Sequence, residues 1–167
     1  SKRKLGDSSC PFCTGMRFRI GVNDLATTDP ELATEWSPKN SCGPNAVMRN
    51  YGLFVFWVCP ECRGEYGAKI DERAVGDDSC PFCAGTRVLH GFNDLTTTDP
   101  DLASEWSANN RRSPTTVRKQ IKANAMWNCP TCGGGYRYPV NKREVGDDSC
   151  PYCNKNSVLP GFNDLLT

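Results

Sequence analysis

The chain has 167 residues, of which 38% are hydrophobic and 23% are charged, with a formal net charge of +1. This length suits one ordinary domain or two small ones, and no run is long and apolar enough to span a membrane. An odd count of eleven cysteines, with no apolar signal segment at the start, argues against a secreted disulfide framework. We therefore expect an intracellular protein, either cytoplasmic or in the nucleoid or nucleus.

The first residues, up to Cys13, match two later stretches that end in Gly-Asp-Asp-Ser-Cys-Pro-Phe/Tyr-Cys. Residues 1–22 are therefore predicted to be a half-repeat, the end of a truncated unit. Its pair, Cys10 and Cys13, is a half-site whose partner pair would lie before residue 1. Two interpretations stay open: the chain is cut from a longer array, or this pair has no zinc partner.

The stretch from Gly21 to Trp36 reappears as 91–106. Asp29-Pro30 and Asp99-Pro100 predict helix starts, with the aspartate as N-cap and proline at the first helical position. We expect a short helix from Pro30 to about Trp36. The preceding Asn-Asp pair, at 23–24 and 93–94, is typical of a turn in which the side chains bond local backbone.

Residues 37–57 and 107–127 are the part where the two copies differ most, and we call this the variable segment. An asparagine, a proline and a valine persist in both copies, at Asn40/Asn110, Pro44/Pro114 and Val47/Val117. A constant frame with changing contents is typical of a binding surface on a scaffold. It is equally typical of a tolerant surface loop, and the sequence leaves both interpretations open.

Each variable segment leads into a predicted β-hairpin. In the first copy one strand covers Leu53–Val58, and the other places Tyr66, Ala68 and Ile70 on one face. The pair Cys59/Cys62 then lies at the turn. Pro139 in the second copy predicts an edge strand or a bulge.

Ten of the eleven cysteines lie in Cys-Pro-x-Cys pairs, and seventeen residues lie between the inner cysteines of each full copy. This spacing is typical of a four-thiolate zinc site. Zinc is favoured over disulfides and over an iron–sulfur cluster. The predicted ligands are Cys59, Cys62, Cys80 and Cys83 in one copy and Cys129, Cys132, Cys150 and Cys153 in the other. About two structural Zn²⁺ are expected, and a third if Cys10 and Cys13 find partners.

The combination of Asn-Asp-Leu-Ala-Thr-Thr-Asp-Pro-Glu-Leu-Ala-Thr-Glu-Trp, Trp-Val-Cys-Pro-Glu-Cys and Gly-Asp-Asp-Ser-Cys-Pro-Phe-Cys resembles a known family. It is similar to the tandem "probable zinc-ribbon" domains of unknown function that are grouped with treble-clef zinc fingers. The resemblance implies a small zinc-stabilised α+β fold in tandem modules, each a short helix plus a β-hairpin with two Cys-Pro-x-Cys knuckles. The expected boundaries are 1–22, 23–86, 87–156 and 157–167, the last beginning a further repeat.

Four thiolates close the coordination shell of zinc, so both sites are expected to be structural and the chain non-catalytic. Binding is then the expected activity: nucleic acid, with DNA favoured over RNA, as a targeting part of a larger DNA-processing protein. An array that binds a protein partner is the alternative; no membrane and no small-molecule substrate is expected. The candidate nucleic-acid contacts are Arg111, Arg112, Arg118, Lys119, Lys122 and Asn110 in the second copy, and Lys39, Asn40, Arg49 and Asn50 in the first.

Arg3, Arg73 and Arg143 occupy one repeated position before a Cys-Pro-x-Cys pair. They either contact phosphate or pair with the thiolates or the nearby Gly-Asp-Asp acids. We favour the structural role.

Overall fold

The computed structural model describes residues 11–12, 14–76 and 79–164. It divides into two compact units, unit 1 (residues 1–86) and unit 2 (residues 87–167). The half-site cysteines Cys10 and Cys13, and the candidate Arg3, lie outside the described residues. In the described part of the chain, no helix is long and apolar enough to cross a membrane.

Each unit contains one antiparallel hairpin, as the alternating pattern predicts. In unit 1, β1 (Phe54–Val58) pairs with β2 (Glu65–Lys69), and Trp57 lies opposite Tyr66. In unit 2, β3 (Asn124–Asn128) pairs with β4 (Gly135–Pro139), and Trp127 lies opposite Tyr136. The tryptophan before each hairpin forms an isolated bridge to the first strand, Trp36 to Trp57 and Trp106 to Trp127. Pro139 ends β4, the edge position that a missing N–H allows.

Two short helices precede each hairpin, where the sequence predicted one. They are α1 (Leu25–Thr28) and α2 (Pro30–Thr34) in unit 1, and α4 (Leu95–Thr98) and α5 (Pro100–Ser104) in unit 2. Proline stands at the first position of α2 and α5, as expected. Asp29 and Asp99 are the N-cap residues of these helices, as predicted, but neither side chain makes a cap hydrogen bond. The helix also ends at Thr34, because Trp36 turns into its bridge with β1.

The additional helices α1 and α4 have Asp24 and Asp94 as their N-caps, in the turns predicted to bond local backbone. Asp24 accepts from the backbone N–H of Thr27, and Asp94 accepts from that of Thr96. Both aspartates are almost fully buried. Burial acts to raise the pKa of Asp94, but the hydroxyls of Thr96 and Thr97 and the Gly91 N–H hold that pKa well below its usual range. The ionised cap therefore remains stable in the interior.

A buried tryptophan lies at the centre of each core. Trp57 and Trp127 have no exposed surface, and each indole N–H donates to the carbonyl of the opposite strand, at Ala68 (3.2 Å) and Tyr138 (3.1 Å). The bridging tryptophans meet them edge to face, with ring centroids 5.3 Å apart in unit 1 and 5.1 Å apart in unit 2. Short elements follow each hairpin: α3 (Ile70–Ala74) in unit 1 and a 3₁₀ turn (Val140–Lys142) in unit 2.

Candidate zinc centres and binding surfaces

The hairpin turn and the later Cys-Pro-x-Cys pair bring four sulfur atoms together in each unit. The clusters are Cys59, Cys62, Cys80 and Cys83, and Cys129, Cys132, Cys150 and Cys153, with all sulfurs of a cluster within 4.8 Å of one another. Two Sγ–Sγ distances in each cluster, between its first and last cysteines and between its two inner cysteines, are 3.5–3.6 Å. A tetrahedral Zn²⁺ with Zn–S bonds of about 2.3 Å would hold sulfurs about 3.8 Å apart. Both clusters therefore fit one structural zinc ion each, and the spacing is too long for a disulfide.

The first knuckle of each cluster is shaped by backbone hydrogen bonds. The Cys59 N–H donates to the Gly64 carbonyl at 3.0 Å, and the Gly64 N–H points at the Cys62 sulfur at 3.4 Å. The residue after the second cysteine has positive φ: Arg63 at 58° in unit 1 and Gly133 at 70° in unit 2. Arginine in place of glycine at this position leaves the four-thiolate cluster of unit 1 in place. Arg63 adopts the left-handed conformation there, which is unfavourable for a residue with a side chain.

The thiols of each cluster differ in acidity. Burial acts to raise the pKa of Cys129, but backbone N–H groups of Cys132 and Thr131 donate to its sulfur and lower that pKa to about 7. Burial, together with the neighbouring sulfurs, raises the pKa of Cys153 to about 12. Since the thiolate is the form that binds metal, the first cysteine of the cluster is the one most ready to receive the ion.

An arginine–glutamate pair, buried in unit 2 and partly exposed in unit 1, lies beside each core tryptophan. Arg73 pairs with Glu35, and Arg143 pairs with Glu105. Each guanidinium also lies over a tryptophan ring, 6.0 Å from the centroid of Trp57 in unit 1 and 5.9 Å from that of Trp127 in unit 2. Both arginines therefore have the structural role favoured from the sequence, although their glutamate partners were not predicted.

The two pairs differ in their remaining bonds. In unit 1 the Arg73 Nε donates to the Tyr66 hydroxyl at 2.8 Å. In unit 2 Arg143 instead bonds Asp147 at 2.8 Å, one of the Gly-Asp-Asp acids, and its side chain is only 3% exposed. Burial acts to raise the pKa of Asp147, but hydrogen bonds from the Glu144 N–H, Ser149 and Arg143 lower it to about 2.

Asn40 and Asn110, two of the predicted nucleic-acid contacts, fasten the variable segment to the hairpin. Asn40 accepts from the Phe56 N–H and donates to the Phe56 carbonyl, both at 2.8 Å. Asn110 makes the same two bonds to Met126, also at 2.8 Å. These bonds hold each side chain against the first strand, so these amides are part of the frame.

Both predicted cations of unit 1 are paired within the unit. Lys39 pairs with Glu65. Arg49 lies 3.4 Å from Asp29 and donates to the Ala74 carbonyl at 3.1 Å. Asn50 is exposed.

In unit 2, Lys119 occupies the position equivalent to Arg49 and has a similar structural role. Its ammonium bonds the Arg143 carbonyl and lies 3.1 Å from Glu144, and its side chain is 15% exposed. Arg118 is half-buried, and Lys122 is exposed. Arg111 and Arg112 are exposed and lie together at the mouth of a cleft.

This cleft has a volume of about 560 Å³ and lies between the variable segment and the hairpin of unit 2. Apolar side chains, among them Trp106 and Ile121, form part of its lining. Its polar lining is uncharged or cationic and contains no acidic residue: Asn109, Asn110, Arg111, Arg112, Asn124 and Arg137. The Trp106 indole N–H donates to the Arg112 carbonyl at 2.9 Å and fixes the main chain there.

Sequence reasoning missed Arg137 and Asn124 as neighbours of Arg111 and Arg112. Arg137 lies on β4 opposite Met126, far from the variable segment in sequence. A comparison of the two copies could have pointed to both residues, since unit 1 has Gly67 in place of Arg137 and Phe54 in place of Asn124. In unit 1 the Phe54 ring lies over Gly67, so closely that a Cβ built there would be 2.3 Å from Phe54 Cζ.

Two hairpins, short helices and two four-thiolate clusters define a tandem array of structural zinc modules. The family described as probable treble clef zinc finger domain matches residues 32–86 and 102–156, and the chain belongs to that family. The chain is also 25% identical, over 141 residues, to an uncharacterised protein of Acanthamoeba polyphaga mimivirus. That similarity covers 74% of this chain and 34% of the viral protein, so the chain spans about a third of its relative's length.

Proposed function

We propose that the chain is a non-catalytic, zinc-stabilised array that binds nucleic acid, DNA in preference to RNA, through the variable segment of unit 2. The observation that carries the proposal is a set of cations without partners. Among the described residues, none gives a hydrogen bond or ion pair to the side chains of Arg111, Arg112 or Arg137. Cations left free at one surface are what a phosphate backbone neutralises.

The acids of unit 2 support this assignment by their position. Glu105 and Asp147 bond Arg143, Glu144 bonds Lys119, and Asp94 caps α4. These carboxylates are used within the frame and do not line the cleft. The low net charge of the whole chain therefore conceals a locally cationic surface.

A protein partner is the second candidate, and unit 1 favours it. The outer face of its hairpin exposes apolar side chains, with Phe54 62% and Phe56 44% exposed. Their rings meet edge to face with centroids 6.3 Å apart. The nearby Lys39 is neutralised by Glu65, so this face offers apolar area without a free charge.

The test is a salt series of binding to fluorescently labelled DNA, duplex and single-stranded, with matched RNA. Affinity should fall steeply between about 50 and 200 mM salt, and Arg112→Ala should reduce the salt slope by about one. Lys69→Ala is the matched control, since it removes one positive charge from unit 1 and does not belong to the cleft lining. Absence of binding to every strand at low salt would overturn the proposal.

The same assay distinguishes the second candidate. If the aromatic face of unit 1 serves a protein, Phe54→Ser together with Phe56→Ser leaves nucleic-acid affinity unchanged. If bases stack on this face, the double substitution weakens binding to single strands several-fold.

A further inference from the structure

The cleft of unit 2 combines features that a phosphate-binding surface alone does not need. Besides three guanidiniums, it has apolar lining from Trp106, Ile121 and Met126. A purely electrostatic contact with a duplex requires cations on an open surface, without a concave apolar site. A cleft of about 560 Å³ lies in the size range of small-molecule pockets and accommodates one nucleotide.

Two amides at the cleft are available for hydrogen bonding. The Asn109 side chain is exposed, and only its backbone N–H is bonded, to Ser107 Oγ at 3.3 Å. Asn124 is exposed at the start of β3, and no described residue bonds its side chain. Asn110, between Asn109 and Arg111, is fixed to Met126 instead. The lining of the cleft thus combines two amide side chains that no described residue bonds, one fixed amide and three arginines.

We propose that this cleft holds one unpaired nucleotide of a nucleic-acid strand, with the base against Trp106 and its apolar neighbours. Arg111, Arg112 and Arg137 then contact the flanking phosphates, and Asn109 and Asn124 contact the edge of the base. Unpaired bases are the ones a protein stacks on aromatic side chains and reads on their Watson–Crick edge. This inference rests on the proposed nucleic-acid binding and adds a preference for single strands over duplexes.

Unit 1 provides the matched comparison, because its frame is the same and its surface is different. Phe54 and Gly67 replace Asn124 and Arg137, and the Phe54 ring covers the space above Gly67. Installing this pair in unit 2, by Asn124→Phe with Arg137→Gly, should preserve the fold because unit 1 has both residues on the same hairpin. It should close the cleft and remove one of its three arginines.

The experiment measures affinity of the full zinc-loaded chain for three labelled probes of equal length: an oligothymidylate, an abasic strand with the same phosphates, and a duplex. The wild-type chain should bind the oligothymidylate at least tenfold more tightly than either of the others. Asn124→Phe with Arg137→Gly should abolish that difference, and Asn109→Ala should reduce affinity for the oligothymidylate about threefold without affecting the abasic strand. Two zinc ions per chain and an unchanged Tm confirm that each variant is folded.

The outcomes separate this inference from the proposed function. Equal affinity for the abasic strand and the oligothymidylate would overturn the nucleotide site and leave phosphate binding in place. Failure of all three probes to bind at about 50 mM salt would overturn both proposals. In that case, binding of a decaglutamate peptide that Arg112→Ala weakens would assign the cleft to an acidic peptide.

Discussion

Units 1 and 2 have one frame and two different surfaces. Both have a four-thiolate cluster, an edge-to-face tryptophan pair, an arginine–glutamate pair and an asparagine bound to the first strand. On the outer hairpin face, unit 1 exposes Phe54 and Phe56 beside a neutralised Lys39, whereas unit 2 carries Arg137 and an open cleft. The comparison shows two kinds of aligned position. Some make the same contacts in both units and hold the fold, whereas others differ between the units and form different surfaces.

The frame explains why surface changes are tolerated. Its contacts link α2 or α5, the hairpin and the segment after the hairpin, and none depends on the exposed face. Arg49 and Lys119 show the limit of this freedom, because both belong to the variable segment and both bond a carbonyl beyond the second strand. The frame therefore requires a long cationic side chain at this position, which is arginine in unit 1 and lysine in unit 2.

The largest expected effect concerns the zinc clusters. Cys132→Ser should unfold unit 2 and leave unit 1 folded, since each unit has its own cluster and core. Structural zinc contributes about 10–16 kcal/mol of apparent binding free energy, comparable to or larger than the stability of most domains. Metal analysis should fall from about two zinc ions per chain to about one, and NMR amide signals should collapse for unit 2 only.

Cys62→Ser is the matched change and should give the reverse pattern. Collapse of both units with either variant would contradict the independence of the two frames. A wild-type value near three zinc ions would instead show that Cys10 and Cys13 find partners.

The arginine–glutamate pairs should give the next largest effect. Arg143→Met leaves Glu105 buried without its partner, and we expect a loss of about 3–5 kcal/mol in the stability of unit 2. Arg73→Met should cost less, because the Arg73 side chain is 17% exposed and water can reach Glu35, whereas Arg143 is 3% exposed. Denaturation followed by amide signals of each unit measures both. Equal losses would mean that the second ion pair, to Asp147, adds nothing.

Neighbouring asparagines should separate stability from binding. Asn110→Ala removes two hydrogen bonds to Met126 and should destabilise unit 2 by about 1–3 kcal/mol. Asn109→Ala changes an exposed side chain and should alter stability by less than about 0.5 kcal/mol while weakening binding to single-stranded DNA. A large stability loss from Asn109→Ala would remove it from the proposed binding surface. Asn40→Ala is the equivalent substitution in unit 1 and serves as the control for the loss of two hydrogen bonds to the first strand.

Much of the frame could be predicted because local signals and the repeat agreed. The spacing of Cys59, Cys62, Cys80 and Cys83 predicted their cluster, and alternation at Tyr66, Ala68 and Ile70 predicted the hairpin. The N-cap Asp29 was predicted, but helix α1 and its cap Asp24 were not, because no proline marks the start of α1. Only the fold shows that α1 fills the space between them and that Asp24 is buried.

The binding surface could be predicted only in part. Arg111 and Arg112 were found from a run of like charge, but the same criterion selected Lys119, which the fold turns inward. Arg137 was missed because it lies outside the basic run, and its place opposite Met126 in the hairpin is what brings it to the cleft. Asn110 was selected for its amide, and its bonds to Met126 depend on tertiary structure.

The smallest expected effect tests a reciprocal difference at the knuckles. After the first knuckle, unit 1 has Arg63 at φ 58° where unit 2 has Gly133; after the second, unit 2 has Lys155 at φ 63° where unit 1 has Gly85. A left-handed residue with a side chain costs about 1–2 kcal/mol, partly offset by the greater freedom of glycine when unfolded. Arg63→Gly should therefore stabilise unit 1, and Lys155→Gly unit 2, by about 0.5–1 kcal/mol. Gly133→Ala should destabilise unit 2 by a similar amount in the same denaturation measurement, and an opposite sign would mean that the knuckle relaxes without strain.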